Sequence, residues 1–353
     1  MFFWLYIAVI SAFAKPIQRD LQTQDGAWVT TYRYENSGPV VLLAQGITSN
    51  YKVWDLTSTI SLSQYLHKLG FDVWMRDFRG DRYQTTRNKK NEDREDEDRE
   101  DEEGETRKRE PRKLRQGSPF VFGYYDLARV IDHINLVRPT QKIHLIAYSF
   151  SGLSFVHYAH HHSTEKLGKL VFLATPGDFQ SPEPLWIVMS KVLSVIPFSI
   201  KTNQLAPFVS RVSRLPLRME QIIWNEANMD AKTRHYLLNN IFRPISRKEM
   251  KELIMIVRDE TYPNPQKYDY TLSEVLQKVH NPSLVISGRL DQIASVDRVQ
   301  KYYEYLGSSN KKLIIAGKMY GYKADYGHAC LVMSPIAIQE IYPQIGFFLE
   351  QEE

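Results

Sequence analysis

Cysteine is almost missing from this chain: Cys330 stands alone among 353 residues. No disulfide can close within it, so packing and hydrogen bonds must hold the fold, and a single thiol says nothing about redox compartment. Charge of one sign is missing too. The formal net charge is +4 at pH 7, too mild to argue for nucleic-acid binding. No internal repeat is evident. Metal motifs are absent as well: His157 and His161 have the i, i+4 spacing of a metal pair, but no H-E-x-x-H glutamate lies between them. For the group His157, His160, His161 and His162, an interaction with the negative end of a helix dipole is the better account.

Long apolar runs are scarce. The opening Met1–Ala14 is apolar throughout, yet shorter than the about 20 residues a helix needs to cross a bilayer. It ends in an A-x-A pattern and resembles a secretory signal cleaved after Ala14, although no Lys or Arg precedes it. A secreted or periplasmic protein is the resulting expectation; a cytoplasmic protein, or one whose apolar start lies on a membrane, is the alternative.

What is present is enough for a large core, since 43% of the residues are hydrophobic and single α/β domains of this size are common. Strand-like and helix-like segments alternate: a strand over 71–75, a helix over 124–137, a strand over 142–147, a helix over 152–161 and a strand over 169–174. That order predicts a mostly parallel sheet with helices on both faces. The segment 27–34 with the turn Glu35-Asn36-Ser37-Gly38 reads as an antiparallel hairpin leading into it. Two stretches interrupt the pattern. Residues 87–115 are near neutral overall but segregated, acidic over 92–105 and basic over 107–115, so a solvated insertion is expected. Between 175 and 280 the alternation stops and dense apolar and helical segments replace it. A helical cap is expected there, its apolar side chains packed mainly on the body, with the lining of an acyl pocket or a lid that meets lipid as the alternative.

Chemistry enters at Ile143-His144-Leu145-Ile146-Ala147-Tyr148-Ser149-Phe150-Ser151-Gly152. Ser149 falls on a sharp strand-to-helix turn, where a hydroxyl can project above a sheet as a nucleophile. Alone, such a serine could equally be a helix N-cap. A serine nucleophile needs a histidine to take its proton and an acid to hold that histidine, in the chain order Ser, Asp or Glu, His. Asp291 follows the strand-like Leu284-Val285-Ile286-Ser287-Gly288, and His328 follows Leu313-Ile314-Ile315-Ala316 and a loop. Asp297 is the alternative acid, disfavoured because it falls inside a helix; His67 and His144 fit core or surface roles. The third requirement is a pair of N–H groups for an oxyanion. The strand 39–44 runs into Gln45-Gly46-Ile47, where a glycine would let the chain turn so that the Ile47 N–H faces the site. The Phe150 N–H would be the second donor.

These segments, together with Trp74-Met75-Arg76-Asp77-Phe78-Arg79-Gly80, Tyr125-Asp126-Leu127 and Gly327-His328-Ala329, resemble the α/β-hydrolase superfamily. The likeness is to the branch of acid lipases and bacterial esterases and lipases, and it spans roughly residues 20 to 350. It implies an α/β-hydrolase domain over 15–353 with the insertion and cap just described. It also implies a serine hydrolase that cleaves carboxylic esters, including lipid esters, through an acyl-enzyme on Ser149, with no cofactor or metal. Two departures stand out: Gln45-Gly46 replaces the family's His-Gly, and Ala147-Tyr148-Ser149-Phe150-Ser151 replaces Gly-His-Ser-x-Gly, adding bulk at the tightest point of the elbow. An acyltransferase with the same residues and a non-catalytic binding protein on this fold are the rival expectations. Oligomeric state is not legible.

Overall fold

A computed structural model describes residues 15–80, 114–178, 223–259, 261–262 and 269–351. Its centre is an eight-stranded sheet in the order β1-β2-β4-β3-β5-β6-β9-β10. The strands are β1 (Ile17–Gln22), β2 (Trp28–Tyr34), β3 (Val40–Ala44), β4 (Asp72–Arg76), β5 (Ile143–Tyr148), β6 (Leu167–Leu173), β9 (Ser283–Gly288) and β10 (Lys311–Ala316). A two-residue ribbon, β7 (Thr261–Tyr262) with β8 (Tyr270–Thr271), lies apart from them. Only β2 runs against its neighbours β1 and β4; the other pairings in the sheet are parallel. The burial explains the order. Every residue of β3, β4, β6 and β9 is buried, as parallel strands covered on both faces require. The edge strands β1 and β10 carry exposed residues.

The hairpin expected around Glu35–Gly38 is not formed. β2 pairs instead with β1 and β4, and β4 separates it from β3. The turn that makes the hairpin is upstream at Asp25-Gly26, where Gly26 takes a φ of 85° and the Thr23 N–H meets the Ala27 carbonyl at 2.8 Å. An Asp-Gly pair between two extended runs is the usual signal for such a turn. The wholly apolar β3 needs a parallel partner on each side, which β4 and β5 supply.

The longer helices are α1 (Leu62–Lys68), α2 (Ala128–Val137), α3 (Phe150–His161), α4 (Ala231–Asn240), α5 (Arg247–Asp259), α6 (Val296–Tyr305) and α7 (Tyr342–Glu350). The helix expected over 124–137 is α2 preceded by a π-helical turn, Phe122–Leu127. Gly123 in that turn lies against α3 so closely that a Cβ would stand 2.1 Å from the Ser154 carbonyl oxygen. From Phe150 to Tyr158, α3 is buried on all sides, and this is the helix that the elbow starts. The loop after β4 is fixed by Arg79, whose buried guanidinium joins Asp25 at 2.6 Å and also Asp126.

Met1–Ala14 and residues 87–113 of the charged stretch lie outside the described residues. Of the excursion expected as a cap over 175–280, the described part carries α4, α5, the ribbon and the short helix Leu272–Leu276. No helix among the described residues is long and apolar enough to cross a membrane.

Candidate active site

β5 ends at Tyr148 and α3 begins at Phe150, leaving Ser149 alone between them with φ 54° and ψ −119°. A non-glycine residue in that region is strained by about 1–3 kcal/mol and persists only when its surroundings hold it. The surroundings here are explicit. The Ser149 N–H donates to the Leu173 carbonyl at 2.7 Å and its carbonyl accepts from the Gly152 N–H at 3.0 Å. That carbonyl also accepts from the Thr175 hydroxyl at 3.1 Å. Close approach makes Gly152 the position that must lack a side chain, because a Cβ would fall 2.3 Å from Thr175.

The two departures at the elbow are accommodated. Ala147 pairs with Ala44 across β5 and β3. Ser151 is buried, and its hydroxyl donates to the Gln45 carbonyl at 2.5 Å while standing 3.4 Å from Nη2 of Arg76. Tyr148 turns its ring edge-on to Trp54 and lies beside the His328 ring, with its hydroxyl donating to the His328 carbonyl at 3.3 Å. Burial raises the Tyr148 phenol well above its ordinary range, so it stays a donor.

Asp291 and His328 meet Ser149. The Asp291 Oδ1 accepts from the N–H groups of Ile293 and Ala294, both at 2.8 Å, which aims Oδ2 at Nδ1 of His328, 2.7 Å away. Nε2 of the same ring lies 2.9 Å from the Ser149 hydroxyl. With Nδ1–H donating to the carboxylate, Nε2 carries the lone pair that faces the serine. Both Asp291 and His328 are buried. Asp297, the alternative acid, is exposed in the first turn of α6.

The loop after β3 lies directly against the elbow: a Cβ on Gly46 would touch the Tyr148 ring at 3.4 Å and the Ser149 Cβ at 3.5 Å. Those are ordinary contacts, and Gly46 is not among the residues with positive φ. The turn therefore comes from elsewhere than glycine's freedom. Ser49 makes it, with its N–H and its hydroxyl both donating to the Gly46 carbonyl at 3.1 and 3.0 Å. Among the described residues the N–H groups of Ile47 and Phe150 meet no backbone or side-chain acceptor, and at Phe150 this follows from its place at the start of a helix.

Two parts of the excursion between β6 and β9 strap this constellation. Residues 223–228 hold the histidine loop: the Ala329 N–H donates to the Ile223 carbonyl at 2.7 Å, and the amides of Asn225 and Asn228 donate to the Asp325 carbonyl at 2.7 and 2.9 Å. Residues 240–243 run beside the Gly46 loop, with the Asn50 N–H on the Ile241 carbonyl at 2.9 Å and the Arg243 N–H on the Thr48 carbonyl at 2.8 Å. None of these straps was legible in the sequence, because nothing local marks a residue that touches a loop 97 to 196 positions away.

The remaining candidates take structural places. His157 is buried with Nδ1 2.5 Å from the Tyr270 hydroxyl, and burial holds its pKa well below 6.5. Among the described residues no cluster of three or more metal-ligating side chains occurs. Cys330 is buried and its thiol is pushed up to about 11, chiefly by burial, which makes it inert as a nucleophile. His144 accepts the Lys169 N–H at 2.9 Å.

A family model described as alpha/beta hydrolase fold matches residues 39–320. No curated protein matches the chain. Solved structures of similar fold include an esterase from Exiguobacterium antarcticum, with a TM-score of 0.61 and 13% identity over 95% of this chain and 100% of that one. A thermophilic esterase from Thermogutta terrifontis has a TM-score of 0.60 and 16% identity over 94% and 98%. A bromoperoxidase from Bacillus anthracis fits as well, at 0.60 and 13% over 95% and 100%. At such identities the likeness shows the fold and leaves the reaction to the site.

Proposed function

The chain belongs to the α/β-hydrolase family, and from that premise we propose that it is a serine hydrolase acting on carboxylic esters. The observation that carries the proposal is the unbroken line from the Asp291 carboxylate through the His328 ring to the Ser149 hydroxyl, at 2.7 and 2.9 Å, with that serine in a strained conformation its neighbours enforce. A serine held this way has no capping role: its side chain makes no cap bond to α3.

In the proposed reaction Nε2 of His328 takes the Ser149 proton as the oxygen attacks the ester carbonyl. Asp291 fixes the tautomer and stabilises the imidazolium that forms. The developing oxyanion lies toward the Ile47 and Phe150 N–H groups, of which each contributes roughly 2.7–4 kcal/mol in comparable sites. The same proton then passes from His328 to the leaving alkoxide. Water, deprotonated by His328, releases the acid and restores the serine. A small-molecule or lipid ester fits this chemistry, and the esterases of similar fold support it.

The test is direct. The intact chain should hydrolyse a chromogenic short-chain ester and be labelled by a fluorophosphonate probe, and Ser149→Ala should abolish both. Full activity in Ser149→Ala, or no labelling of the unaltered chain, would sink the proposal.

A further inference from the structure

We infer that Arg243 is the positioning residue for the oxyanion loop, setting the Ile47 N–H from the carbonyl side of the same residue; the inference rests on the ester-hydrolase reading above. The loop is held in two halves by different means. Its outer half, Thr48 to Asn50, is paired with residues 240–243 by main-chain bonds at 2.8 and 2.9 Å, a β-bridge between Ser49 and Phe242, and the Asn50 amide on the Asn240 carbonyl at 3.0 Å. Ile47 lies beyond the last of those bonds. There the Arg243 side chain takes over, with Nη1 donating to the Ile47 carbonyl at 2.9 Å.

The guanidinium that makes this bond is itself fixed. Glu249 accepts from Nη2 at 2.9 Å and from Nη1 at 3.3 Å, and it also accepts the Ser246 N–H at 2.9 Å. Arg243 and Glu249 are both buried. The planar group lies 4.8 Å from the centre of the Phe78 ring and 5.8 Å from that of Phe122. Both rings stand edge-on to Phe150, at 6.2 and 6.1 Å. One rigid side chain thus braces the residues of both oxyanion donors, directly at Ile47 and through two phenyl rings at Phe150.

The chemistry favours geometry as its purpose. Buried ion pairs are weak sources of stability, because desolvation offsets their attraction. What they do supply is a fixed orientation. Holding the Ile47 carbonyl fixes the following peptide plane, and through φ and ψ of Ile47 it restrains the preceding plane that carries the Ile47 N–H. Lysine is a poor replacement for arginine here, since its ammonium can donate to the same acceptors but lacks the planar fork that fixes their relative orientation and that stacks on the Phe78 ring.

The test uses the full chain, a chromogenic short-chain ester and a fluorophosphonate probe. Arg243→Lys should lower kcat and the labelling rate together by about 10- to 100-fold, with KM changed by no more than about twofold, as a displaced oxyanion donor would. Arg138→Lys, which disturbs the ion pair of a partly exposed arginine with the buried Asp72 at the opposite end of the sheet, is the control: it should lower the melting temperature and leave kcat unchanged. Glu249→Gln, which loosens the guanidinium without removing it, should shift kcat and labelling in the same direction by a smaller factor, and it carries the test if Arg243→Lys does not fold. The inference is overturned if the folded variant keeps kcat within about threefold, or if only KM rises. It is also overturned if kcat falls in proportion to melting temperature in the Arg243 and Arg138 variants alike. An unaltered chain that neither cleaves the ester nor takes up the probe would instead refute the ester-hydrolase reading, so the two failures are distinguishable.

Discussion

The two ends of the sheet both bury charge, and they do opposite things with it. At the end where the parallel strands start, the Asp72 carboxylate accepts Nε and Nη2 of Arg33, both at 2.8 Å, and Nη1 of Arg138 at 2.7 Å. Arg138 spends its other contacts on the carbonyls of Asn36, Ser37 and Gly38. The charges close on one another and on the backbone. At the end where the strands finish, Asp291 and His328 are bonded just as closely, but the line terminates in the Ser149 hydroxyl, near the loop and helix start whose Ile47 and Phe150 N–H groups meet no acceptor among the described residues. A closed network ties strands together; an open one points at the place where a reacting atom could sit. The open end also holds the strained serine, so in the proposed reading reactivity belongs to one end of the strands and charge closure to the other.

Paired substitutions test that division. Asp291→Asn should lower kcat by roughly 10⁴-fold by releasing the wrong histidine tautomer, with little loss of stability. Steady-state kinetics and thermal unfolding on the same preparation would check both halves. Asp72→Asn should do the reverse. It removes the buried acid that two partly exposed guanidinium groups share and should destabilise by about 1.5–3 kcal/mol, measured by denaturant unfolding, while kcat of the folded fraction stays unchanged. A drop in kcat comparable to that of Asp291→Asn would show that the two ends are coupled and break the comparison.

How much of this could be read from the sequence follows the same division. Ser149 and Asp291 could be picked out because each follows a strand that is almost wholly buried and so announces its own end, whereas His328, a loop beyond the partly exposed edge strand β10, was picked out by its order in the chain. The parallel core was legible for the same reason. The hairpin was misplaced because Glu35–Gly38 looked as much like a turn as Asp25-Gly26, and only the pairing of β2 with β4 separates them. The role of Ser151 was hidden since a hydroxyl in a glycine's usual place reads as bulk until its partner, the Gln45 carbonyl, is known. Arg243 was out of reach: no periodicity connects it to Ile47, and the contact exists only because residues 240–243 lie along the loop.

The helix α3 repeats the contrast on a smaller scale, with the strained serine at its start and histidines near its end. His157 faces Glu252 of α5 at 3.6 Å, the Tyr270 hydroxyl, the Tyr262 ring and, along α3, His160 and His161. Burial keeps its pKa well below 6.5, and burial likewise lowers His161 to about 4. The unfolded chain therefore takes up the proton first as pH falls, so the stability these neutral rings contribute is complete above 6.5 and is lost below it. Burial raises the Glu252 carboxyl, which gives the opposite slope nearer its own range. Between pH 6.5 and 5.5 the unaltered chain should lose about 1 kcal/mol more than His157→Phe, read from unfolding midpoints across that interval. Equal slopes would show that His157 takes no part in the acid sensitivity.

The smallest effect bears on the elbow itself. The Ser151 hydroxyl connects the first turn of α3 to the end of β3, so it ties the strand that leads to Ile47 to the helix that presents Phe150. Ser151→Ala keeps the packing but removes that tie, and should destabilise by roughly 0.5–1 kcal/mol, the net worth of one neutral hydrogen bond. Because the two donors it relates must sit at one distance from the same oxygen, kcat should fall by about three- to tenfold with KM unchanged. Ser151→Gly should show at least the same loss, although it restores the small residue usual at this point of the elbow. A gain in kcat from Ser151→Gly would mean that bulk, and not the hydroxyl, sets the rate here, and the open end of the sheet would then be limited by its elbow alone.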